Sequence, residues 1–395
     1  MAKADVLVLG VGGVGAAALA HLAARGLRVV GVDQGDVPGE HGSSVGETRV
    51  IRKAYAEDPR YVPLLVRAYA LWDELQARAR EPLFERTGCL SLGAPDHPAI
   101  RGVLESAAQH GLPHERLDED GVRARFSVLP AAGDVGVFEQ DAGYLRVEAC
   151  TRAHARWAVE AGADLRTRTR VTALTIRPGS VRATLDDGST LTADKAVVAT
   201  GPWLAGSGVL REVARALPLS VERQVQLWWE PRVPAAGAAL RPPALPAFMH
   251  FVPGGPFYGV PADDRHPVPA VKVCRHHGGE LTSPGAIDRM LRPEDEAQVR
   301  AYLRAHLPAA DGPLLRSRVC MYTNTPDEHF LVGPLARAPH VVVLGGFSGH
   351  GYKMASVLGE IAADLVERAM APFDLGLFAL DRFEKLRPAL LEPEG

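Results

Sequence analysis

The sequence predicts an α/β fold in which a Rossmann-like nucleotide domain is assembled from three chain segments around an inserted, mostly antiparallel β-sheet domain with helices. Residues 5–33 have the order strand, glycine turn, helix and strand, which is typical of nucleotide-binding domains. Residues 341–367 repeat the order strand, glycine turn and helix, so we expect both regions in one domain. Between them, eight prolines from Pro231 to Pro261 favour short or edge strands.

The first βαβ unit carries a dinucleotide fingerprint. Gly10, Gly12 and Gly15 have the spacing G-x-G-x-x-G directly after an apolar run, and a helix of small residues follows them. In this motif the glycines permit the tight turn, the approach of a pyrophosphate and the close packing of helix on strand. Asp33 ends the second strand and is expected to accept a hydrogen bond from a ribose hydroxyl. That acid favours NAD or FAD over a 2′-phosphorylated cofactor.

Composition narrows the classes of function. The chain has 395 residues, of which 47% are hydrophobic and 23% charged, as in globular proteins of two or three domains. Its net charge of −3 and lack of a basic block argue against nucleic-acid binding, and we find neither a signal peptide nor a membrane span. The cysteines Cys89, Cys150, Cys274 and Cys320 are far apart, so we expect no disulfide framework, no metal site and a cytoplasmic location.

The order of the remaining elements follows from hydrophobic periodicity and from turn residues. The first half predicts a helix at 61–80, a strand at 83–92, a helical excursion at 98–126, a helix at 147–161, alternating strands at 163–192 with a tight turn at 186–189, and a strand at 196–199. The second half predicts strands at 224–229, 248–252, 257–260 and 270–274, a helix from Pro293, and a strand followed by a polar turn near 318–335.

The alternation of these patterns predicts the domain organisation. The nucleotide domain is expected to comprise residues 1–84, 147–216 and 318–395, and the substrate domain residues 85–146 and 217–317. An NAD dehydrogenase usually needs no such interleaving, whereas a domain that buries FAD along its length often has it. The layout therefore favours FAD.

Four further motifs carry a family resemblance. They are GSSVGETRVIRKAY at 42–55, ATGPW at 199–203, RVCMYTNTPDEHF at 318–330 and GFSGHGYKMASVLGE at 346–360. Together with the fingerprint they make the chain resemble, almost end to end, the monomeric sarcosine oxidase and N-methyltryptophan oxidase family of the D-amino acid oxidase superfamily. The resemblance implies a glutathione-reductase-type FAD-binding domain and a monomer.

The resemblance also implies how FAD is held. Cys320, in the C-M-Y-T block, matches the cysteine that attaches covalently to the flavin; a buried free cysteine is the alternative interpretation. Gly346, Gly349 and the start of the helix after Lys353 are implied to lie near the flavin pyrimidine, where a helix N-terminus would stabilise negative charge. The implied cofactor-binding set is Gly10, Gly12, Gly13, Val14, Gly15, Asp33, Gln34, Ser43, Thr48, Arg49, Val171, Thr200, Gly201, Trp203, Cys320, Met321, Gly346, Gly349 and Lys353.

Lys272 is the implied site of reaction with oxygen. A fixed cation near the flavin stabilises the anion that forms when O₂ accepts an electron. A solvent-facing lysine on an edge strand is the alternative. Arg49 is implied to lie beside the flavin ring, and Tyr258 and His276 to contact the substrate or tune its amine. His276 has the alternative of a simple surface histidine.

Arg52 and Lys353 match the pair that holds an amino-acid carboxylate in the family, since arginine grips a carboxylate bidentately and lysine adds a point charge. If residues 49–52 are helical, Arg49 and Arg52 share one face, and a solvated face is the alternative interpretation. Met249 matches a residue of the substrate pocket.

Two positions depart from the family pattern. Val45 stands where the family has an active-site histidine, and Val260 stands where related enzymes often have phenylalanine. Both changes predict a more apolar, roomier substrate pocket and argue against strict sarcosine specificity.

The implied activity is FAD-dependent oxidation of a secondary, N-methyl amino acid to an imine, with O₂ reduced to H₂O₂ and formaldehyde released on hydrolysis. N-methyltryptophan, a cyclic imino acid such as proline or pipecolate, and a biosynthetic intermediate remain alternative substrates. A dehydrogenase that passes electrons to a protein acceptor, or a non-catalytic flavin-binding protein, would be a different class.

Overall fold

The computed structural model describes residues 3–206, 213, 217–263 and 270–386. Its strands are β1 Ala4–Leu9, β2 Val29–Val32, β3 Thr48–Ile51, β4 Phe84–Glu85, β5 Cys89–Gly93, β6 Glu115–Leu117, β7 Val135–Glu139, β8 Gly143–Arg146, β9 Asp164–Arg166, β10 Val171–Arg177, β11 Ser180–Leu185, β12 Thr190–Val198, β13 Ser220–Trp229, β14 Ala247–Val252, β15 Gly255–Val260, β16 Val271–Arg275, β17 Leu281–Thr282, β18 Leu314–Asn324, β19 Leu331–Leu335 and β20 Ala338–Gly345. Its α-helices are α1 Gly13–Ala24, α2 Val62–Ala79, α3 Pro98–His110, α4 Glu119–Arg125, α5 Val147–Glu160, α6 Trp203–Gly206, α7 Pro293–His306 and α8 Ala355–Arg368.

The first sheet is the nucleotide-binding sheet. Its parallel part has the order β9-β2-β1-β12-β20, and the antiparallel strands β10, β11 and β19 extend it. Strand β12 is long enough to pair with β11 through its first half and with β20 through its second half. The carboxyl ends of β1, β12 and β20 therefore lie side by side, which is where parallel sheets bind their ligands.

Helices α1, α5 and α8 cover one face of this sheet through a shared apolar core. Helix α1 is almost entirely buried because its residues are small. Gly359 of α8 lies so close to α1 that an added Cβ atom would be 2.5 Å from the backbone carbon of Ala17. Small side chains on both helices are therefore what permits this close crossing.

The second sheet has nine strands in the order β17-β13-β16-β15-β14-β5-β7-β6, with β18 beside β13. All of its pairings are antiparallel except that of β14 with β5. Helices α4 and α7 contribute to a separate apolar core on this sheet. A small antiparallel sheet, β3-β8-β4, connects the two larger ones.

One local prediction is wrong, and one condition stated for the sequence is not met. The strand predicted at 83–92 is two strands in different sheets, β4 and β5, because the backbone turns at Gly88, whose φ is +74°. The segment 49–52 is not helical, since Thr48–Ile51 pairs with β8 as strand β3. The predicted domain boundary at 318 falls inside β18, which pairs along its length with β13 of the second sheet. Residues 1–2, 207–212, 214–216, 264–269 and 387–395 of the predicted domains lie outside the described residues.

None of the helices in the described part of the chain has both the length and the apolar composition required to cross a bilayer.

Candidate active site

A cavity of about 850 Å³ lies at the carboxyl ends of β1, β12 and β20. Most of the implied cofactor-binding residues line it, although they come from distant parts of the chain. They are Gly10, Gly12, Gly13, Val14, Asp33, Gln34, Ser43, Arg49, Val171, Thr200, Gly201, Trp203, Met321, Gly346 and Gly349. The implied residues Gly15, Thr48, Cys320 and Lys353 are absent from this lining.

The glycines of the fingerprint form the tight turn between β1 and α1. Gly10 has a φ of +84°, and an added Cβ atom would lie 2.7 Å from the carbonyl oxygen of Ala199. At Gly15 a Cβ atom would collide with the carbonyl oxygen of Gly10, whereas at Gly12 it would meet nothing within 4 Å. Gly12 thus borders open space at the N-terminus of α1, where backbone N–H groups favour a phosphate.

Asp33 is held in position by two backbone N–H groups. Val11 donates to Oδ2 at 2.8 Å and Gly35 donates to Oδ1 at 2.9 Å. Burial raises the pKa of Asp33 and outweighs these hydrogen bonds, which lower it. An ionised carboxylate has about four acceptor positions, so it retains capacity for ribose hydroxyls.

The cavity fits FAD by its donor set as well as its size. Thr200 lines the cavity, and its hydroxyl oxygen is buried and has no hydrogen-bond partner within the part of the chain that the structure describes. Buried hydroxyls are normally paired, so an unpaired one on a residue of the cavity wall is consistent with a polar ligand at this wall. The glycine turn, Asp33 and Thr200 are therefore chemically suited to the ADP half of FAD.

A second, smaller cavity of about 50 Å³ adjoins the first, and both are lined by Arg49, Tyr322, Gly349 and Tyr352. The structure brings five implied substrate or catalytic residues together here, namely Arg52, Met249, Tyr258, His276 and Lys353. Val50, Glu57 and His350 complete the lining. An anion in this small cavity would therefore lie next to one end of the dinucleotide cavity.

The small cavity is cationic. Arg52 is 3% exposed, and its Nε atom is buried without a hydrogen-bond partner among the described residues. Its Nη2 atom lies 3.8 Å from Oε2 of Glu57, and this oxygen likewise accepts no hydrogen bond from the described part of the chain. Burial lowers the pKa of Lys353 to about 7, and the charge of Arg52 adds to this effect. The solvated-face interpretation of Arg49 and Arg52 is wrong, because Arg52 is buried and Arg49 is partly buried.

Arg49 lies between the two cavities and is held by carbonyl groups. Its Nη1 atom donates to Thr48 O at 2.8 Å, and its Nη2 atom donates to Ser43 O at 2.8 Å. These bonds fix the guanidinium against the wall of the large cavity.

Lys272 is buried behind the loop that precedes β3. It is 2% exposed on β16, which has β13 on one side and β15 on the other, so the edge-strand interpretation is wrong. Its Nζ atom donates to the carbonyl oxygens of Gly46 at 2.8 Å and Thr48 at 3.0 Å, and lies 5.1 Å from the ring centre of Trp228. Burial, followed by the charge of Arg49, lowers the pKa of Lys272 to about 7.

The loop that carries Val45 is tightly fixed. Gly46 and Glu47 have φ of +88° and +66°, and their N–H groups donate to the carboxylate of Glu148. Gln226 donates to the carbonyl oxygen of Val45. The structure places Val45 and Val260 in the core, 1% and 2% exposed, and on the wall of neither cavity.

Cys320 and His276 each have one defined partner. The Sγ atom of Cys320 is buried and lies 3.1 Å from Nε2 of Gln226. His276 Nδ1 lies 3.0 Å from the hydroxyl oxygen of Tyr322. Burial lowers the pKa of His276 well below 6.5, with a contribution from His277, so the imidazole is neutral at pH 7. His276 is partly buried and lines the small cavity, so the surface-histidine interpretation is wrong.

Sequence reasoning missed several residues of the site. Tyr55 and Glu57 follow Arg52 closely, and His350 lies inside the motif GFSGHGYK. This nearness to implied site residues is the signal by which the sequence could have indicated them. Nothing in the sequence indicated that Gln226 and Glu148 would support the loop before β3.

Comparison with known proteins identifies the family of the chain. The family model described as FAD dependent oxidoreductase matches residues 5–365. The chain is 36% identical over 377 residues to monomeric sarcosine oxidase of Streptomyces avermitilis, covering 95% of this chain and 96% of the relative. It is 36% identical over 383 residues to N-methyl-L-tryptophan oxidase of Yersinia pestis, covering 96% of this chain and 99% of the relative.

Solved structures give the same fold. NikD, described as an unusual amino acid oxidase essential for nikkomycin biosynthesis, matches in its open form with a TM-score of 0.82 and 25% identity over 96% of this chain and 98% of that one. L-proline dehydrogenase from P. horikoshii matches with a TM-score of 0.83 and 22% identity, over 97% of this chain and 98% of that one. At this identity the match shows a shared fold alone.

The fold and site define a flavoenzyme. The chain belongs to the FAD dependent oxidoreductase family. The predicted family and the predicted α/β fold are confirmed.

Proposed function

We propose that this protein oxidises secondary amino acids, with N-methyl amino acids as the preferred class. The amine is oxidised to an imine, O₂ is reduced to H₂O₂, and water releases the primary amino acid and formaldehyde. The observation that carries the proposal is the meeting of Arg52 and Lys353 in a small cavity that adjoins the dinucleotide cavity. The relatives named for sarcosine and N-methyltryptophan support the same substrate class.

Bound FAD supplies the two-electron redox chemistry. The residues proposed to hold it are those that line the large cavity, with Asp33 for the ribose and the N-terminus of α1 for the pyrophosphate. Gly15 contributes to FAD binding by allowing α1 to pack on β1. Thr48 contributes through its position next to Arg49, and Lys353 through its position near Gly349 in the small cavity. We also propose the interleaved domain division predicted from the sequence, because the cavity takes its walls from three separate chain segments.

Arg52 and Lys353 are proposed to bind the substrate carboxylate. Their positive charges are buried, and an ion pair in a buried site is stronger than one in water. A carboxylate fixed there orients the N-methyl group toward the large cavity. His276 is neutral and Tyr258 is close to it, with ring centres 6.2 Å apart, so both can contact the amine without repelling it. Met249 adds an apolar wall.

Lys272 is proposed to assist the reaction with O₂. Its ammonium is fixed by two carbonyl groups and needs no rearrangement to stabilise a developing anion. This observation favours an oxidase over a dehydrogenase that uses a protein acceptor. Val45 and Val260 are proposed to act on specificity through the packing of the loop before β3 and of β15, since neither lines a cavity.

The activity is tested with purified holoenzyme and a panel of N-methyl, cyclic and primary amino acids. We expect oxygen consumption and H₂O₂ with secondary amines, and formaldehyde only with N-methyl substrates. Peroxide from a cyclic substrate without formaldehyde would move the substrate class to imino acids. Substrate oxidation only with an artificial electron acceptor would contradict the oxidase.

We further propose that FAD is tethered through Cys320. Support comes from Gln226, which donates to Cys320 Sγ at 3.1 Å and accepts from Arg49 of the cavity wall at 3.4 Å, and from the resemblance to enzymes with a cysteinyl flavin. Native protein precipitated with acid is expected to keep its yellow colour, whereas Cys320→Ala should release its flavin to the supernatant. Cys274→Ala, at a buried cysteine of the same sheet, is the matched control and should behave as native. A colourless native pellet would contradict the tether.

A further inference from the structure

We propose that Tyr55 and His350 form a hydrogen-bond chain that directs one N–H of Lys353 into the small cavity, which makes Tyr55 a positioning residue for carboxylate recognition. This inference deepens the proposed function and rests on it for the identity of the anion. Neither residue belongs to the set that the sequence implied.

The chain is continuous over four groups. Lys353 Nζ lies 3.3 Å from the hydroxyl oxygen of Tyr55 and 2.8 Å from the carbonyl oxygen of His350. The Tyr55 hydroxyl lies 2.7 Å from Nδ1 of His350. Nε2 of the same ring lies 3.0 Å from the carbonyl oxygen of Glu328. The chain thus connects the small cavity to the turn after β18.

The chemistry of its ends fixes the direction of every hydrogen bond. A carbonyl oxygen only accepts, so Nε2 of His350 carries a proton and donates to Glu328. Burial lowers the pKa of His350 to about 4, so the ring is neutral at pH 7 and Nδ1 is an acceptor. The Tyr55 hydroxyl also lies 3.2 Å from the carbonyl oxygen of His350, but Nδ1 is closer at 2.7 Å and carries no proton, so the hydroxyl donates to Nδ1. Its oxygen is then free to accept from Lys353.

The donors of Lys353 can then be counted. An ammonium group has three N–H bonds, and two of them are used by Tyr55 and by the His350 carbonyl. Within the described residues Nζ has no third hydrogen-bond partner, and Lys353 lines the small cavity together with Arg52. The tetrahedral geometry of the ammonium leaves the third N–H for a ligand in that cavity.

Both ends of the Tyr55–Lys353 contact are anchored. Ser106 donates to the backbone oxygen of Tyr55 at 2.6 Å, and the preceding N–H of Ala54 donates to Glu139 at 3.0 Å. Trp72 Nε1 donates to the backbone oxygen of Lys353 at 2.8 Å. Because both backbones are fixed, loss of the Tyr55 hydroxyl frees the ammonium to rotate rather than moving the main chain.

A neighbouring pair provides a matched control. Tyr61 is also fully buried, and its hydroxyl lies 3.2 Å from Nδ1 of His329. Its ring is 4.8 Å from that of Tyr55, in the same aromatic cluster. Its hydroxyl forms no described hydrogen bond with Lys353. Tyr61→Phe therefore removes a buried hydroxyl bonded to a histidine without touching the ammonium.

The experiment compares native holoenzyme with Tyr55→Phe and Tyr61→Phe. Acetate and uncharged acetamide are titrated against the flavin absorbance, and KM and kcat are measured with an active amino acid. Tyr55→Phe is expected to raise the Kd of acetate and the KM about tenfold, since a charge-assisted hydrogen bond is removed, with kcat within about twofold. The Kd of acetamide should not change, and Tyr61→Phe should alter none of these constants beyond about twofold.

A second variant keeps the inference testable if Tyr55→Phe does not fold. His350→Phe retains an aromatic ring and the Tyr55 hydroxyl but removes the ring acceptor, and should raise the Kd of acetate by a smaller factor. Equal weakening of acetate and acetamide, or equal effects of Tyr55→Phe and Tyr61→Phe, would overturn the inference. Native protein that discriminates acetate from acetamide but oxidises no secondary amino acid would overturn the proposed function and leave the chain standing.

Discussion

Two buried lysines lie at different places around the site: Lys353 lines the small cavity, whereas Lys272 lies behind the loop before β3 and lines neither cavity. They show how one residue type can be suited to two roles. Lys272 belongs to a strand of the second sheet, and Lys353 belongs to the turn before α8. Burial lowers the pKa of each to about 7. Among the described residues, neither Nζ atom has a carboxylate within salt-bridge distance. Burial alone therefore does not distinguish them.

Their partners differ. Lys272 is bound to two carbonyl oxygens of one rigid loop and lies near the ring of Trp228. Lys353 is bound to one carbonyl and one side-chain hydroxyl, and it shares a cavity with Arg52 and Glu57. A cation whose hydrogen bonds go only to carbonyl oxygens is suited to a transient anion, whereas a cation that shares an open cavity with Arg52 is suited to a stable one. The comparison therefore predicts that replacement of each lysine impairs a different step, namely reaction with O₂ for Lys272 and binding of the amino acid for Lys353.

The largest effect is expected from Lys272→Met. Reoxidation of the reduced enzyme by O₂ should slow by about 100- to 1000-fold, as when one preorganised electrostatic donor is lost from a buried site. Reduction by substrate should change by less than about tenfold, since Lys272 is not part of the small cavity. Stopped-flow absorbance of the two half-reactions measures this directly.

The control for this variant is Lys53→Met. Lys53 also lies over an aromatic ring, that of Tyr69 at 4.3 Å, but it pairs with Asp141 away from both cavities. It should leave both half-reactions unchanged. Equal slowing of reduction and reoxidation by Lys272→Met would break the distinction between the two lysines.

A smaller effect, on substrate binding rather than on reoxidation, is expected from Lys353→Met. KM for the amino acid should rise about 10- to 100-fold, because a charge-assisted hydrogen bond contributes about 1.5–3 kcal/mol. The rate of reoxidation by O₂ should stay near that of the native enzyme. Steady-state kinetics at varied substrate, with the reoxidation rate measured separately, tests this, and an unchanged KM would remove Lys353 from the carboxylate site.

The sequence predicted the nucleotide half of the molecule better than the catalytic half. The roles of Gly10, Gly12 and Gly15 depend on the local backbone geometry of one turn. Their spacing in the sequence is therefore enough to predict that turn. The strand at 48–51 was ambiguous because its structure depends on pairing with β8, almost a hundred residues later. Local periodicity contains no information on such a distant partner.

The same limit applies to the lysines. The family resemblance implied a role for Lys353 and for Lys272, but not which groups each contacts. Tyr55 reaches Lys353 across 298 positions, and Gly46 reaches Lys272 across 226. Only the folded chain brings these acceptors to the ammonium groups.

The last expected effect concerns stability and pH. Each lysine has a pKa of about 7 in the folded protein and an ordinary value of 10.5. Between these values the unfolded chain binds one more proton per lysine, so the free energy of unfolding contributed by each lysine rises with pH. Relative to either Met variant, the native holoenzyme should therefore gain stability from pH 7 to 10, by at most about 1.4 kcal/mol per pH unit.

Chemical denaturation of native, Lys272→Met and Lys353→Met holoenzyme at pH 7, 8.5 and 10 measures this difference without reference to activity. Equal slopes for the two variants would mean that burial dominates both lysines, as their similar pKa values indicate. The stability of the native protein relative to Lys272→Met could rise with pH while its stability relative to Lys353→Met does not. That result would mean that Glu57 keeps Lys353 charged from pH 7 to 10. The two sites would then differ in resting charge as well as in their hydrogen-bond partners.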